Sequence, residues 1–390
     1  MAQGKLEVRS IFVRCGVASL AAAILGGMPA YAADLPLKAP VKAVDFNPFW
    51  AEADALAWSV KGDHLPALVT TSPVGTPLFS AGVLGAPGTT VLFGNSDVND
   101  DWRAGGRITA GYWFDPSRSR GIEASFFGLG DVSTGFTANS GTTPIIARPF
   151  FDPNLNLQSA SFVSFPGTTA GNIAINEKSR LLGAGLLYRQ DVGMWAGQRI
   201  TALVGYRYLR SSDDLAITSQ SAVVGGAFAV SDNFGATSQF HGLDLGLAGE
   251  WRGGPWSLEW RGKVALGGNI NSGNINGATV VTFAGVTATT AGGLLTQASN
   301  IGNTSQTRFA VVPELSLKAG YQIAPRWQLF AGYDALYWTD VQRAGGLIDT
   351  TVNPNLIAGG PGGGPNRPMP LQNTSSLWAQ GFSFGVRYNY

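Results

Sequence analysis

Hydrophobic and polar residues alternate with a period of two along much of the chain. In residues 256–266, Trp256, Leu258 and Val264 share one parity, whereas Glu259 and Lys263 share the other. Successive side chains of a strand point to opposite faces, so this pattern predicts a strand with one apolar and one charged face. The same test predicts ten strands, at about residues 49–60, 102–114, 120–130, 178–189, 199–209, 238–251, 256–266, 308–321, 327–338 and 376–390.

The connections between these strands are alternately short and long. The short ones contain turn residues, as in Asp115-Pro116-Ser117, Asp191-Val192-Gly193, Arg252-Gly253-Gly254-Pro255 and Ala324-Pro325. The long ones span about 61–101, 131–177, 210–237, 267–307 and 339–375 and are rich in Gly, Ser, Thr and Asn. A soluble sandwich also alternates, but its strands average five to six residues, whereas strands of about eleven residues cross a bilayer at a tilt. The pattern therefore favours a transmembrane barrel with short periplasmic turns and long extracellular loops.

Composition supports a membrane protein whose spans are strands. Only 13% of residues are charged, about half the usual share of a soluble domain, beside 53 Gly and 11 Trp. Aromatic residues fall near strand ends, as interface girdles do, in the pairs Tyr112 and Trp113, Trp251 and Trp256, Tyr321 and Trp327, and Tyr337 and Trp338. We expect an all-β fold, a single antiparallel β-barrel of about ten strands, or twelve if the long loops contain further hairpins.

The first residues predict an export leader. Lys5, Arg9 and Arg14 precede an apolar run, and Ala30 and Ala32 are small residues at the two positions that a signal peptidase reads. We expect a signal peptide over 1–32, a short periplasmic segment over 33–48 and an outer-membrane barrel over 49–390. Removing the leader takes away three of the 26 Lys and Arg residues and one of the 25 Asp and Glu residues, which leaves a formal charge near −1. It also removes the only cysteine, and nothing in this balance attracts nucleic acid.

The C-terminal strand alternates and ends on an aromatic residue. Phe382, Phe384, Tyr388 and Tyr390 share one parity, a pattern similar to the terminal strand by which barrel-insertion machinery recognises its clients. Lipid offers no partner to a free strand edge, so we expect this strand to pair with the first. The expected partners are this machinery, outer-membrane lipid, and small solutes or ions.

The charged residues that share the polar parity are expected to face the lumen. Mixed charges in a narrow lumen either tune ion passage or pair with one another and plug it, and the sequence leaves both readings open. The predicted lumen set is Arg103, Arg107, Glu123, Arg180, Arg199, Arg207, Asp244, Glu250, Glu259, Arg261, Lys263, Glu314, Lys318, Asp334 and Arg387.

Candidates for catalysis or metal binding are few. His64 follows Asp63 at the start of the first long loop and is a possible general base, but a turn histidine is the simpler interpretation. His241 shares the parity of leucines and is expected at the outer rim. Asp100-Asp101 and Asp213-Asp214 fit a solvated rim better than a cation site. We expect no enzyme and no cofactor.

The first long loop resembles the hallmark loop of the putative beta-barrel porin type 7 family. The resemblance covers residues 61–73, which begin with Lys61-Gly62-Asp63-His64-Leu65-Pro66, and residues 82–94. Arg103-Ala104-Gly105-Gly106-Arg107 and Gly121-Ile122-Glu123-Ala124-Ser125 continue the resemblance, which implies a barrel and a presumed pore without catalytic residues. The loop contains Leu65, Leu68, Val83, Leu84, Val91 and Phe93, which need burial. We expect it to fold into the barrel mouth as a constriction or plug, or alternatively to pack as a cap against the other loops.

Three functions follow from these expectations. The first is a narrow channel for small solutes or ions, since ten strands leave a largely filled lumen. The second is a nonconducting surface adhesin or receptor that acts through its long loops. The third is an outer-membrane hydrolase that uses His64.

Overall fold

The structure, a computed structural model, describes residues 46–389, which form eighteen strands and two short 3-10 turns. The leader with Ala30 and Ala32, and Tyr390, lie outside these residues. The strands are β1 (Phe49–Val60), β2 (Asp63–Leu65), β3 (Val69–Thr71), β4 (Thr90–Phe93), β5 (Ser96–Val98), β6 (Trp102–Trp113), β7 (Arg120–Leu129), β8 (Val132–Asn139), β9 (Ile146–Asp152), β10 (Leu157–Ser164), β11 (Ala170–Trp195), β12 (Gln198–Val223), β13 (Gly226–Gly253), β14 (Trp256–Phe283), β15 (Val286–Ala291), β16 (Gly302–Ala324), β17 (Trp327–Gln342) and β18 (Thr374–Asn389). The 3-10 turns are Gly345–Leu347 and Pro354–Leu356.

Ten of these strands pair antiparallel in a closed ring, in the order β1-β6-β7-β11-β12-β13-β14-β16-β17-β18 and back to β1. The closing pair joins β1 and β18, with Trp50 opposite Asn389 and Val60 opposite Ala379. These are the ten strands that the alternation predicts, so the predicted fold class is confirmed. Closure gives a hydrogen-bond partner to the backbone groups that an open edge would leave unpaired in lipid.

The strands extend well beyond the predicted spans at one end of the barrel. β11, β12, β13 and β14 have 26 to 28 residues each, and β12 and β13 stay paired out to Val223 and Gly226. Two extra strands lengthen the wall: β8 follows β7 along β11, and β15 pairs with the upper part of β14. The predicted long loops at 210–237 and 267–307 are therefore largely strand. We call this the cap end, and the opposite end, with the short connections, the turn end.

The turn between β11 and β12 lies four residues beyond its predicted place. Asp191-Val192-Gly193 is a bulge within the β11–β12 ladder, and the chain reverses at Ala196-Gly197. Both turn residues have positive φ, 48° and 77°, as a two-residue hairpin requires.

The middle of the outer wall is a belt of exposed apolar side chains. Leu186, Val204, Leu245, Leu317 and Phe384 are each 41–55% exposed. Trp256 packs against Tyr321, and Trp327 against Tyr388, near the turn end of this belt. Toward the cap end, His241 is exposed and its Nδ1 forms a 2.5 Å hydrogen bond with the Tyr206 hydroxyl, consistent with its predicted rim position. None of the helical segments in residues 46–389 is long and apolar enough to cross a membrane.

The remaining connections fold over the cap end. β10, β9, β3 and β4 form one small sheet, and β2 and β5 form another. We use the name cap for residues 61–101, 140–169, 292–301 and 343–373. Its core contains Leu65, Leu68, Ile146 and Leu347, all 1% exposed or less, which pack with inward side chains of the extended barrel strands. Apolar burial between loops and wall explains why these long connections are ordered.

Candidate functional site: a charged lumen closed by an apolar layer

The inward side chains of β12 show how the interior is layered. From the turn end they run through Arg207, Leu209, Asp213, Leu215 and Ile217, each 5% exposed or less. These positions belong in turn to an ion-paired layer, an apolar layer, an upper polar cluster and the core of the cap. A solute that crossed the barrel would have to pass all four layers.

The first layer is a network of charged side chains that we call the lumen ion network. Lys318 Nζ lies 2.7 Å from Glu52 Oε2 and 3.4 Å from Asp54 Oδ2, and Arg107 Nη2 lies 2.5 Å from that Asp54 oxygen. Arg261 donates two hydrogen bonds to Glu123, at 2.6 and 3.1 Å. The whole network consists of Arg107, Arg189, Arg207, Arg261, Lys263, Lys318 and Arg387 with Glu52, Asp54, Glu123, Asp244, Glu259, Glu314 and Asp334.

Seven cations and seven carboxylates therefore balance in this layer, and each of them has a partner of opposite charge. Lys263 Nζ lies 3.0 Å from Asp244 Oδ2 and 3.4 Å from Glu314 Oε1, and Arg207 lies 2.6 Å from the same glutamate. A balanced, paired lining provides neither an excess of fixed charge for ion selection nor free charges along a path. Charges that pair with one another in this way are what the interpretation of a plugged lumen predicts.

The structure places most of the predicted lumen charges in this network, and three others near it. Arg199 and Glu250 lie near the turn end, where Arg199 Nε is 3.5 Å from Asp191 and Glu250 is 2.6 Å from Arg252. Arg103 lies higher, in the upper polar cluster. The predicted residues inside the network are Arg107, Glu123, Arg207, Asp244, Glu259, Arg261, Lys263, Glu314, Lys318, Asp334 and Arg387.

The prediction for Arg180 is wrong. Its side chain is 50% exposed on the outer wall above the apolar belt, where Nε lies 3.0 Å from Asp131. On β11 the inward side chains are those of Leu181, Leu187 and Arg189, which have the opposite parity to Arg180. Leucines occur on this inward face because the barrel interior contains an apolar layer as well as charges.

Sequence analysis missed Glu52, Asp54 and Arg189, three members of the network. On β1 the two carboxylates share the parity of Trp50, Leu56 and Trp58, so the alternation hides them in an apolar set. The signal that could have found them is the run of outward alanines on the opposite parity of β1. Small apolar side chains can face lipid and carboxylates cannot, so the two carboxylates on the other parity must point inward.

A cavity of about 130 Å³ opens at the turn end of the network. Arg189, Arg199 and Arg387 line it together with Trp113, and its inner end is bounded by Trp58 and Phe127. One water needs roughly 10–15 Å³ of such volume, so the cavity has room for about ten waters. Trp113 faces this cavity, so its predicted place in the outer girdle is wrong: neighbouring residues of a strand point to opposite faces, and Tyr112 takes the outward one.

The second layer is apolar and closes the interior above this cavity. Trp58, Phe127, Phe240 and Trp338 are 0–4% exposed, and Trp58 packs on Phe127 at 5.4 Å between ring centroids. The layer comprises Leu56, Trp58, Val60, Phe127, Leu129, Leu181, Leu209, Phe240, Ala265, Ala310, Val312, Leu336, Trp338, Val341, Leu377 and Ala379. Trp338, predicted in the outer girdle, thus lies inside, and Tyr337 faces outward beside it.

Above the apolar layer, the upper polar cluster joins the cap to the barrel. We give this name to Asp63, Asn99, Arg103, Glu177, Asp213 and Arg343. Arg343 of the cap is ion-paired with Asp213 of β12 and donates to the Lys61 carbonyl at 3.0 Å. Arg103 donates to the Asn99 carbonyl at 2.8 Å and to Ser179 Oγ at 3.2 Å. The predicted Asp213-Asp214 rim is thus split, with Asp213 fully buried and Asp214 exposed.

Two carboxylates of this cluster lie above the apolar belt and have raised pKa values. Burial raises the pKa of Asp63 to about 6, and nearby Asp213 acts in the same direction, while Arg343 opposes the shift. Burial, with Asp213 and Asp63 nearby, raises the pKa of Glu177 to about 9. Asp63 Oδ2 accepts a 2.7 Å hydrogen bond from the Gly345 amide. The contact between cap and barrel therefore contains a carboxyl group that titrates near neutral pH.

The first long loop is partly inside the mouth and partly on the surface. Leu65 and Leu68 are buried in the cap core, whereas Val83, Leu84 and Phe93 are half-buried and Val91 is 37% exposed. Phe93 stacks on Phe136 of β8 at 5.3 Å between centroids. The segment both enters the mouth and packs against other loops, so features of the two predicted arrangements coexist.

His64 is on the surface of the cap. Its Nδ1 lies 2.8 Å from Asp97 Oδ1, with the two side chains 69% and 48% exposed. Within residues 46–389, no group of three or more His, Cys, Asp or Glu side chains is arranged to hold a metal ion.

The aromatic residues of the C-terminal strand follow the predicted parity. Phe382 and Phe384 are exposed on the outer wall, where Phe382 packs against Tyr333 at 5.4 Å, and Tyr388 packs against Trp327. They lie on the strand that closes the ring, beside β1.

A closed antiparallel ring with an apolar outer belt and buried charged side chains inside defines an integral membrane β-barrel. The model of the family described as Putative beta barrel porin-7 matches residues 50–390, and the chain belongs to this family of outer-membrane β-barrels.

Similar solved structures are distant. The outer membrane protease OmpT from Escherichia coli has 9% identity and a TM-score of 0.40, over 90% of this chain and 99% of that one. A FadL homologue from Pseudomonas aeruginosa has 7% identity and a TM-score of 0.21, over 88% and 90%. OmpT of Vibrio cholerae has 8% identity and a TM-score of 0.15, over 88% and 97%. None of the curated proteins compared with the chain matches it.

Proposed function

We propose that this protein is a closed, nonconducting barrel of the bacterial outer membrane that acts at the cell surface through its folded cap. In this proposal the leader is removed on export, the barrel-insertion machinery uses the C-terminal strand, and the cap faces outward. The barrel serves as an anchor and scaffold, without a catalytic role.

The observation that carries this proposal is the apolar layer. Trp58, Phe240 and Trp338 are buried where a channel would need water, and the charges beneath them are neutralised in pairs. Water-filled barrels have more strands, whereas about eight strands leave only enough interior for side chains. The ordered cap adds a third barrier, because its core packs against barrel strands.

Single-channel recording tests the closed barrel. Residues 33–390 are refolded in detergent, checked for folding by heat-modifiable gel mobility, and added to a planar bilayer, with a sixteen-stranded porin as the positive control. We expect no discrete current steps. Steps that scale with the amount of folded protein would contradict the proposal.

A narrow channel for small solutes or ions is the second candidate. The cavity at the turn end favours it, because Arg189, Arg199 and Arg387 line a space for several waters that opens to one side. In that case the cap and the apolar layer would move during opening. Deleting residues 65–93, which contribute Leu65 and Leu68 to the cap core, would then raise the conductance, and an unchanged silent trace would count against the channel.

A further inference from the structure

The hairpin of β14 and β15 projects from the cap end with one open edge. β15 pairs with β14 on one side, from Val286 opposite Phe283 to Ala291 opposite Ala278. All six residues of β15 are exposed, so nothing within residues 46–389 covers either of its faces. A strand in this position presents unpaired backbone groups to any extended chain that approaches it.

The register identifies the groups on the open edge. The chain reverses at Ala284-Gly285, both with positive φ, so Phe283 and Val286 form the hydrogen-bonded pair next to a two-residue turn. Hydrogen-bonded pairs alternate with non-bonded pairs, and the Gly292 amide donates to the Gly277 carbonyl at 2.9 Å, in step with that alternation. The N–H and C=O groups of Thr287, Thr289 and Ala291 therefore point away from β14.

The usual protection of an open edge is missing here. Natural edge strands carry lysine, proline or inward charges, or are covered by another segment. The chain contains no Asp, Glu, Lys, Arg or His from Val264 to Thr307, and no proline there either. Exposed Phe283 and Val286, 60% and 71% exposed, lie at the tip of the same hairpin.

We propose that the open edge of β15 is a strand-addition site for an extended, uncharged peptide segment of another protein. The peptide would run antiparallel to β15, exchange backbone hydrogen bonds with Thr287, Thr289 and Ala291, and place small or β-branched side chains beside Val286 and Phe283. Strand addition draws affinity from main-chain bonds and specificity from alternate side chains. The chain has no charged side chain from Val264 to Thr307 with which a charged peptide could form a cross-strand pair, which is why the partner is uncharged. This site rests on the proposed surface function.

The probe is a fluorescein-labelled peptide with the sequence of residues 278–283, the natural neighbour of β15, preceded by an uncharged Ser-Gly-Ser-Gly leader for solubility. Fluorescence anisotropy measures its binding to folded residues 33–390 in detergent. Thr289→Pro removes an N–H from the open edge and leaves the bonds to β14 in place. Thr289→Lys keeps the N–H and adds a charge, and Thr168→Lys puts the same charge on the exposed turn between β10 and β11.

We expect saturable binding that weakens at least about tenfold in Thr289→Pro and in Thr289→Lys and is unchanged in Thr168→Lys. Slow amide exchange at Ala288 in both Thr289 variants would show that the hairpin is intact. Absence of saturable binding, or equal binding by all four proteins, would overturn the site. A dimer of the unliganded protein that Thr289→Pro dissociates would also overturn it, because the edge would then belong to a second copy. Current steps in the same preparation contradict only the closed barrel, so the two failures are distinguishable.

Discussion

Removing Lys263 from the lumen ion network tests whether this layer is dry and paired. Lys263 and Asp244 are 5% and 2% exposed, and Lys263 Nζ lies 3.0 Å from Asp244 Oδ2. At that distance two unit charges attract by about 5 kcal/mol at an effective dielectric constant of about 20, against about 1 kcal/mol in bulk water. Lys263→Met leaves Asp244 buried without a cation, so we expect the free energy of unfolding to fall by about 3–5 kcal/mol.

The rescue variant isolates the electrostatic cause. Asp244→Asn added to Lys263→Met removes the uncompensated charge, and Glu314 keeps Arg207 at 2.6 Å. We expect the double variant to recover at least about half of the loss, a coupling of about 2 kcal/mol. The matched control is Arg252→Met with Glu250→Gln at the exposed turn end, where Arg252 is 64% exposed and an ion pair contributes about 0.2–1 kcal/mol.

Equilibrium unfolding in urea, with the barrel refolded into lipid vesicles and followed by tryptophan fluorescence, measures these differences. A cost below about 1 kcal/mol for Lys263→Met, with Asp244→Asn simply adding to it, would refute the reasoning. That result would mean that water screens the lumen charges, as in an open pore.

Three further outcomes are expected from other parts of the molecule. The raised pKa of Asp63 means that the folded state favours the neutral carboxyl. The contribution of this carboxyl to the stability of the folded state is therefore complete below the ordinary pKa of 3.8 and is lost as the pH rises through about 6. Protection of the Gly345 amide, corrected for intrinsic exchange, should fall between pH 5 and pH 7, and Asp63→Asn should remove this dependence. His64→Ala should leave stability within about 0.5 kcal/mol, since its ion pair is exposed, and should leave peptide turnover by the purified protein at the background rate. Arg180→Ala should lower the free energy of unfolding by less than about 1 kcal/mol in the urea assay, whereas a loss of about 3 kcal/mol would indicate that Arg180 faces the lumen.

The number, order and closure of the strands could be read from the sequence because lipid imposes one simple rule on the outer face. Outward positions such as Leu245, Leu317 and Phe384 must be apolar, which makes the period of two visible. The same rule explains where the turns fall, since the belt ends where the aromatic pairs Trp256–Tyr321 and Trp327–Tyr388 lie.

The interior could not be read in the same way because it is not uniformly polar. Leu181 and Leu187 face inward on β11 with Arg189, so both parities of that strand are apolar over part of its length and the alternation does not show which face Arg180 takes. The contact between Arg343 and Asp213 joins residues 130 positions apart, which no local pattern encodes. Extension of β12 and β13 into the predicted loop left only a weak signal in Leu215 and Ile217, which share one parity between the polar residues Asp214 and Thr218.

The central claim, that the interior is sealed by the apolar layer, is tested most directly by thiol labelling. The chain without its expected leader contains no cysteine, so single-cysteine variants have no background. Ala310→Cys lies in the apolar layer with Ala310 fully buried, and Ala248→Cys lines the cavity at the turn end. We predict that a small charged methanethiosulfonate reagent modifies Ala248→Cys within minutes in the folded barrel and leaves Ala310→Cys unmodified until the protein is unfolded. Equal modification of both would contradict the seal and place a water-filled path through the barrel.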